Sequence, residues 1–146
     1  MQQVELTPSD APELTALYEE YEWWADRTVE DVRDALSNTA VAVGIRDEGD
    51  LVAAARVVTD GVYYAKLYDV VVAESRRGED VGTELVDAVV SHPALDGVFL
   101  SVTCREGLVE FYERAGFESY PSPVDHPDGE PEAMHHRYRP YDPDTR

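Results

Sequence analysis

Between Ala40 and Val90 the chain runs through apolar segments and turns in an order that leaves few folds open. "AVAVGI", "LVAAARVVT" and "VYYAKLYDVVVA" are strand candidates joined by "DEGD" and "DG", both hairpin signals. The third strand passes through "ESRRGEDVG" into a segment whose Leu85, Val86, Val89 and Val90 recur at helical spacing. A helix that follows a strand directly is the usual crossover to a parallel neighbour. Hairpins early and a crossover late predict a mixed sheet with helices on both faces, an α/β architecture.

The flanks extend the pattern. Residues 2 to 6 alternate as a short strand, and Asp10 with Glu13 has the spacing of a capping box. Leu14, Leu17, Tyr18 and Tyr21 then mark a helix, with Pro12 in its first turn where a missing N–H costs little. "YEWWADR" interrupts it, and Thr28 with Asp31 restarts a helix carrying Val32 and Leu36 inward. After His92-Pro93 come a strand, "GVFLSVT", and a short helix, "GLVEFYERAG", with Gly116 as its C-terminal cap. "FESY" and "AMHHRYR" are the last strand candidates, separated by the proline-rich loop "PSPVDHPDGEPE". No repeat or linker divides residues 1–146, so one domain is expected.

Charge narrows the partners. Acidic residues number 31 against 12 basic, and Lys66 is the single lysine. A field of that sign repels nucleic acid and anionic membrane, so neither is an expected partner. It could attract a cationic substrate, but an acid-rich, lysine-poor surface also resembles that of proteins from salt-loving organisms, the favoured reading. In molar salt the Debye length is about 3 Å, and long-range steering barely operates. No apolar run could span a bilayer and no signal pattern opens the chain, which points to the cytoplasm. One cysteine, Cys104, excludes an internal disulfide and a multi-cysteine metal site; no metal is expected. Its apolar neighbours Val102 and Phe111 make it a buried thiol.

Arg76 and Arg77 stand where the third strand meets the helix. Helix N-termini present free N–H groups and favour anions, and adjacent arginines suggest the same ligand. The segment is no Walker loop, because Gly78 and Gly82 are too close and no lysine precedes Thr83; G-x-G-x-x-G is absent too. Arg77, Gly78, Glu79, Asp80, Val81 and Gly82 resemble instead the Q/R-x-x-G-x-G/A acyl-CoA loop of the GCN5-related N-acetyltransferase (GNAT) superfamily. Asp80 departs from the pattern, occupying the place of its middle glycine. "FYERAGF", Phe111 to Phe117, is similar to the superfamily's late (F/L)Y-x-x-x-G-F segment, and the element order matches over nearly the whole chain.

The resemblance implies the GNAT fold, acetyl-CoA as co-substrate, and direct acetyl transfer to a primary amine: a small molecule or a peptide or protein N-terminus. It implies that the backbone of Val70, Val71 and Val72 pairs with pantetheine and that Arg77 through Thr83 hold the pyrophosphate. Tyr112 corresponds to the tyrosine that protonates the departing thiolate, the favoured reading, with a core ring beside Phe111 as the alternative. Arg105 stands where many members have a cofactor-binding asparagine; it reaches a CoA phosphate or faces solvent. On the acceptor side the resemblance points to Trp23, Trp24 and Asp69, and to His135 or His136. Adjacent tryptophans cannot share one helix face, so one lines a pocket while the other packs. Asp69 orients or deprotonates an amine, or is a surface or edge carboxylate. The histidine pair reads as strand alternation, since no third metal ligand is evident. A homodimer is open. The rival reading is a non-catalytic acyl-CoA-binding module of the same fold, which Asp80 and Arg105 keep in play; a third is an interaction protein with no CoA site.

Overall fold

The computed structural model describes residues 1–119 and the strand 134–138. Seven strands appear in these residues: β1 (Gln2–Glu5), β2 (Val41–Asp47), β3 (Asp50–Thr59), β4 (Tyr64–Val72), β5 (Phe99–Arg105), β6 (Glu118–Ser119) and β7 (Met134–Tyr138). Four α-helices accompany them: α1 (Ala11–Glu19), α2 (Val29–Ser37), α3 (Val81–Val90) and α4 (Val109–Arg114). The sheet order is β1-β2-β3-β4-β5-β7-β6. Every neighbouring pair is antiparallel except β4 and β5, the pair that the α3 crossover separates. The mixed sheet expected from the apolar pattern is therefore present.

Helices cover both faces. On one, Leu85, Val86 and Val89 of α3 pack against Val57, Leu67 and Leu100 of the sheet. On the other, Leu14, Leu17 and Tyr18 of α1 and Val32 and Leu36 of α2 pack against Ala42, Leu51, Ala54 and Val71. Leu14, Leu85 and Leu100 are wholly buried, each burial stabilising by about 1.5–3 kcal/mol.

Two local expectations need correction. Asp10 and Glu13 form no capping box with each other. The Asp10 carboxylate caps the turn before α1, accepting the Thr7 N–H at 2.8 Å, and both acids bind Arg46, at 2.8 and 3.0 Å. Asp60-Gly61 is also no two-residue hairpin. The Asp60 carboxylate accepts the N–H groups of Val62, Tyr63 and Tyr64, so the turn is longer and β4 starts at Tyr64. Thr28 does cap α2, its hydroxyl accepting the Asp31 N–H at 3.1 Å.

The parallel pair creates the feature that matters for function. β4 and β5 are in register only from Tyr64 and Phe99 to Leu67 and Val102. Past that point the strands part. Asp69 has φ 55, and Asp69 with Val70 occupies the place of one residue opposite Ala55, between the Arg56–Tyr68 and Ala54–Val71 pairs. This is a bulge, which bends a strand and increases its twist. Aspartate is among the few non-glycine residues that adopt such a φ at modest cost.

Candidate active site

The gap between the parted strands opens into a cleft of about 890 Å³. Its floor is the diverging ends of β4 and β5, and the loop entering α3 closes one end. The loop backbone is unusual at two points, Gly78 with φ 83 and Asp80 with φ 64. The left-handed Asp80 explains why a glycine suits this position. Asp80 is the N-cap of α3, yet its side chain accepts no helix N–H. The first amides of a ten-residue helix are thus left for another acceptor at the cleft, the arrangement that favours an anion. A Cβ at Gly82 would sit in contact with its neighbours, 3.4 Å from the Phe111 ring and 3.6 Å from a Val72 methyl, so anything longer would project into the space beside them.

The two arginines divide. Arg76 forms an ion pair with Asp47 at 2.7 Å, while the Arg77 guanidinium lies 4.8 Å from the centre of the Tyr21 ring; both line the cleft. Tyr21 does more than support Arg77. Its hydroxyl donates to the Val72 carbonyl at 3.0 Å and accepts the Val72 N–H at 3.1 Å. Of the residues expected to pair with pantetheine, Val70 and Val72 line the cleft, whereas Val71 is buried against α1.

The turn after α1 supplies an aromatic wall. Trp23 is 56% exposed, whereas Trp24 packs on Tyr18 and Tyr21 at ring separations of 5.4 and 5.2 Å. Trp23 also packs, on Tyr21 at 5.4 Å and on Trp24 at 5.8 Å, and both tryptophans line the cleft, so the expected division between a packing ring and a lining ring does not hold. Arg105, at the end of β5, lies over Trp23 at 4.9 Å.

Asp69 is neither a surface nor an edge carboxylate. β4 is central, and the Asp69 side chain is 8% exposed between Arg27 at 2.9 Å and Arg56 at 2.7 Å. Burial pushes its pKa up, but the hydrogen bonds from the two arginines outweigh burial and hold the carboxyl below the usual carboxylate range. A group so held has little affinity for a substrate's proton. Arg27 in turn lies over the Tyr18 and Trp24 rings at 4.6 and 5.1 Å, tying the aromatic turn to the bulge.

Tyr112 is buried, edge-on to Phe111 and Phe117 at 5.0 and 5.7 Å, and it borders the cleft. Burial, with a smaller contribution from the nearby Cys104, drives its phenol well above the ordinary tyrosine range. It is therefore protonated at any working pH. Cys104 is itself buried. Through their backbones His135 and His136 pair with Cys104 and Thr103, while their side chains lie outside the described part. Among the described residues no three acidic, histidine or cysteine side chains cluster as a metal site. Nor is any helix among them long and apolar enough to cross a membrane.

Tyr21, Arg27 and Arg56 are the site residues that sequence reasoning missed. Their only signal was the break "YEWWADR" and a lone arginine in an otherwise apolar strand.

Comparison with known proteins gives a consistent result. The sequence profile of the Acetyltransferase (GNAT) family matches residues 2–117. No curated protein matches. Among solved structures, an aminoglycoside 6'-N-acetyltransferase complexed with coenzyme A is similar at TM-score 0.81 and 20% identity, over 95% of this chain and 96% of that one. The aminoglycoside 6'-N-acetyltransferase from Enterococcus faecium gives the same values. A ribosomal-protein-alanine N-acetyltransferase from Brucella melitensis reaches TM-score 0.77 at 18% identity, over 95% and 99%. The likeness to these structures is one of fold; the profile match over most of the length, on a cleft built as described, places the chain in the GNAT family of acetyltransferases.

Proposed function

We propose that this chain transfers the acetyl group of acetyl-CoA to a primary amine by direct attack, with no covalent enzyme intermediate. The observation that carries the reading is the parting of β4 from β5 beside the loop that enters α3. Strand backbone at Val70 and Val72 that β5 does not pair, held at Val72 by the Tyr21 hydroxyl alone, suits an extended amide chain such as pantetheine, with Val71 as the buried residue between them. Arg77, Gly78, Glu79, Asp80, Val81, Gly82 and Thr83 form the loop and first helical turn suited to a pyrophosphate. Acetyl-CoA supplies the activated acyl group. A backbone N–H at the Asp69 bulge is the candidate for polarising the carbonyl. Tyr112, protonated and bordering the cleft, is the candidate general acid. Asp69 serves to fix the bulge, and the amine loses its proton to water.

Aminoglycosides and the N-terminal alanine of a ribosomal protein are the acceptors that the similar structures' names suggest. A non-catalytic acyl-CoA-binding module remains as a second reading, favoured by one observation: an acidic residue, Asp80, lines the cleft at the loop that enters α3. Thiol release measured with acetyl-CoA and an amine panel separates the two. Release with at least one amine supports the transferase; tight CoA binding with no release supports the module. We also assign the chain to a salt-adapted organism, from its charge of −19.

A further inference from the structure

The charge lining the cleft is opposite to that of the chain. Among the described residues five basic side chains belong to residues that line it, against two acidic ones. One of those acids, Asp69, is neutralised by two arginines. CoA accounts for the cations near the α3 loop. It does not account for Lys66.

Lys66, the single lysine, lies on β4 in the part still paired with β5, opposite Ser101. It precedes the bulge, whereas the α3 loop follows it, so Lys66 is on the far side of the reacting position from the phosphate end. Strand register places it on the face of the sheet that α1 and α2 cover only in part: it pairs with Val58, and Tyr68 on the same face pairs with Arg56. Its ammonium lies 5.4 Å from the centre of the Tyr68 ring, leaning along the strand toward the bulge. Among the described residues it has no ion-pair partner, in a chain where acids outnumber bases by more than two to one. On the same face Arg105 rests on Trp23 and pairs with no acid among the described residues. A lysine with no acidic partner among the described residues, at the acceptor end, repels a polycation and attracts an anion.

We infer that the acceptor amine also carries a carboxylate, and that Lys66 binds it. This rests on the transferase reading and narrows it away from polycationic aminoglycosides. The Lys66 ammonium donates charge-assisted hydrogen bonds to the carboxylate, and the Tyr68 ring holds the ammonium in place.

The test uses matched acceptors: α-amino acids against their amides, short peptides with an acidic side chain near the N-terminus against their amidated counterparts, and one aminoglycoside. CoA-thiol release is measured for wild type and Lys66→Gln. Wild type should favour carboxylates over amides by roughly 10- to 100-fold in kcat/KM, chiefly through KM. Lys66→Gln should erase that ratio and leave CoA affinity unchanged. The two acceptor sets distinguish an α-carboxylate from a side-chain one. Equal rates on acid and amide, preference for the aminoglycoside, or an unchanged ratio in a folded Lys66→Gln overturns the inference. If no amine releases thiol, the transferase reading fails by itself. Calorimetric titration of the same acid and amide pairs into the CoA-saturated protein then decides the charge preference, again against Lys66→Gln.

Discussion

The Tyr21 hydroxyl occupies both backbone polar groups of Val72, donating to the carbonyl and accepting from the N–H. Those groups lie on the edge that β5 leaves unpaired, because Val71 and Ala73 face β3 while Val72 faces the cleft. Tyr21 thus does for Val72 what an amide of an extended ligand would do. If a pantetheine amide takes the same groups, it displaces Tyr21. Tyr21→Phe should then tighten CoA binding several-fold, since no competitor remains, and cost about 1 kcal/mol of stability without ligand. Calorimetry with CoA and a melt of the free protein measure both. Weaker CoA binding in the variant would mean that Tyr21 keeps its place beside the ligand.

Asp69 offers a test by pH. Its folded-state pKa is depressed, so its ion pairs contribute stability that is present above the unfolded value, about 3.9, and is lost as pH falls through the folded value. Denaturant midpoints should therefore fall as pH drops below about 4. Asp69→Asn tolerates the same backbone but leaves Arg27 and Arg56 without their anion, a loss of about 3–5 kcal/mol for a buried pair. Its stability should depend less on pH in that window. A variant as stable as wild type would show that the bulge needs no charge.

The α3 loop is tested by two substitutions with opposite effects. Asp80→Gly relieves a left-handed non-glycine backbone and removes a carboxylate from the cleft, so CoA should bind more tightly, most visibly at low salt. Gly82→Glu projects into the space beside Phe111 and Val72 and adds repulsion, so CoA binding should be lost while the fold survives. Unchanged CoA affinity in a folded Gly82→Glu would remove the loop from the site.

The acid surface predicts a salt response. Self-repulsion at a net charge of −19 destabilises the compact state in dilute buffer. Thermal midpoints should rise steeply with potassium chloride into the molar range. A midpoint indifferent to salt would contradict salt adaptation.

Most of the element order was legible because a near-continuous apolar run bounded by turns, such as "LVAAARVVT", differs clearly from the helical spacing of "TELVDAVV". What escaped were interactions between residues distant in sequence. Glu13 looked like half of a capping box because nothing local reveals Arg46, 33 residues on. Tyr21 looked like a helix-face residue because its partner Val72 is 51 residues away. The Asp69 bulge was hidden for another reason: one polar residue in an apolar strand reads as alternation, and φ cannot be seen in spacing. Arg76 and Arg77 stand side by side in the sequence, and spacing alone does not reveal that Asp47, 29 residues back, claims Arg76 through the fold.

Tyr112 carries the sharpest chemical prediction. Tyr112→Phe removes one hydroxyl and keeps the ring that packs on Phe111 and Phe117, so the loss of packing should be small. If the hydroxyl protonates the departing thiolate, turnover falls by roughly 10²- to 10⁴-fold, the range for a positioned general acid. Acetyl-CoA affinity should change little, because a thioester sulfur is a weak acceptor. Burial sharpens the pH behaviour. A phenol raised above its ordinary value of about 10 loses its proton only at still higher pH, so acid catalysis by Tyr112 persists across the working range. The wild-type rate should rise with pH as the amine loses its proton and then stay level to about pH 10. A decline below that pH, retained in Tyr112→Phe, belongs to another group. A variant that turns over normally with an established acceptor would make Tyr112 a core ring, and water would then supply the proton.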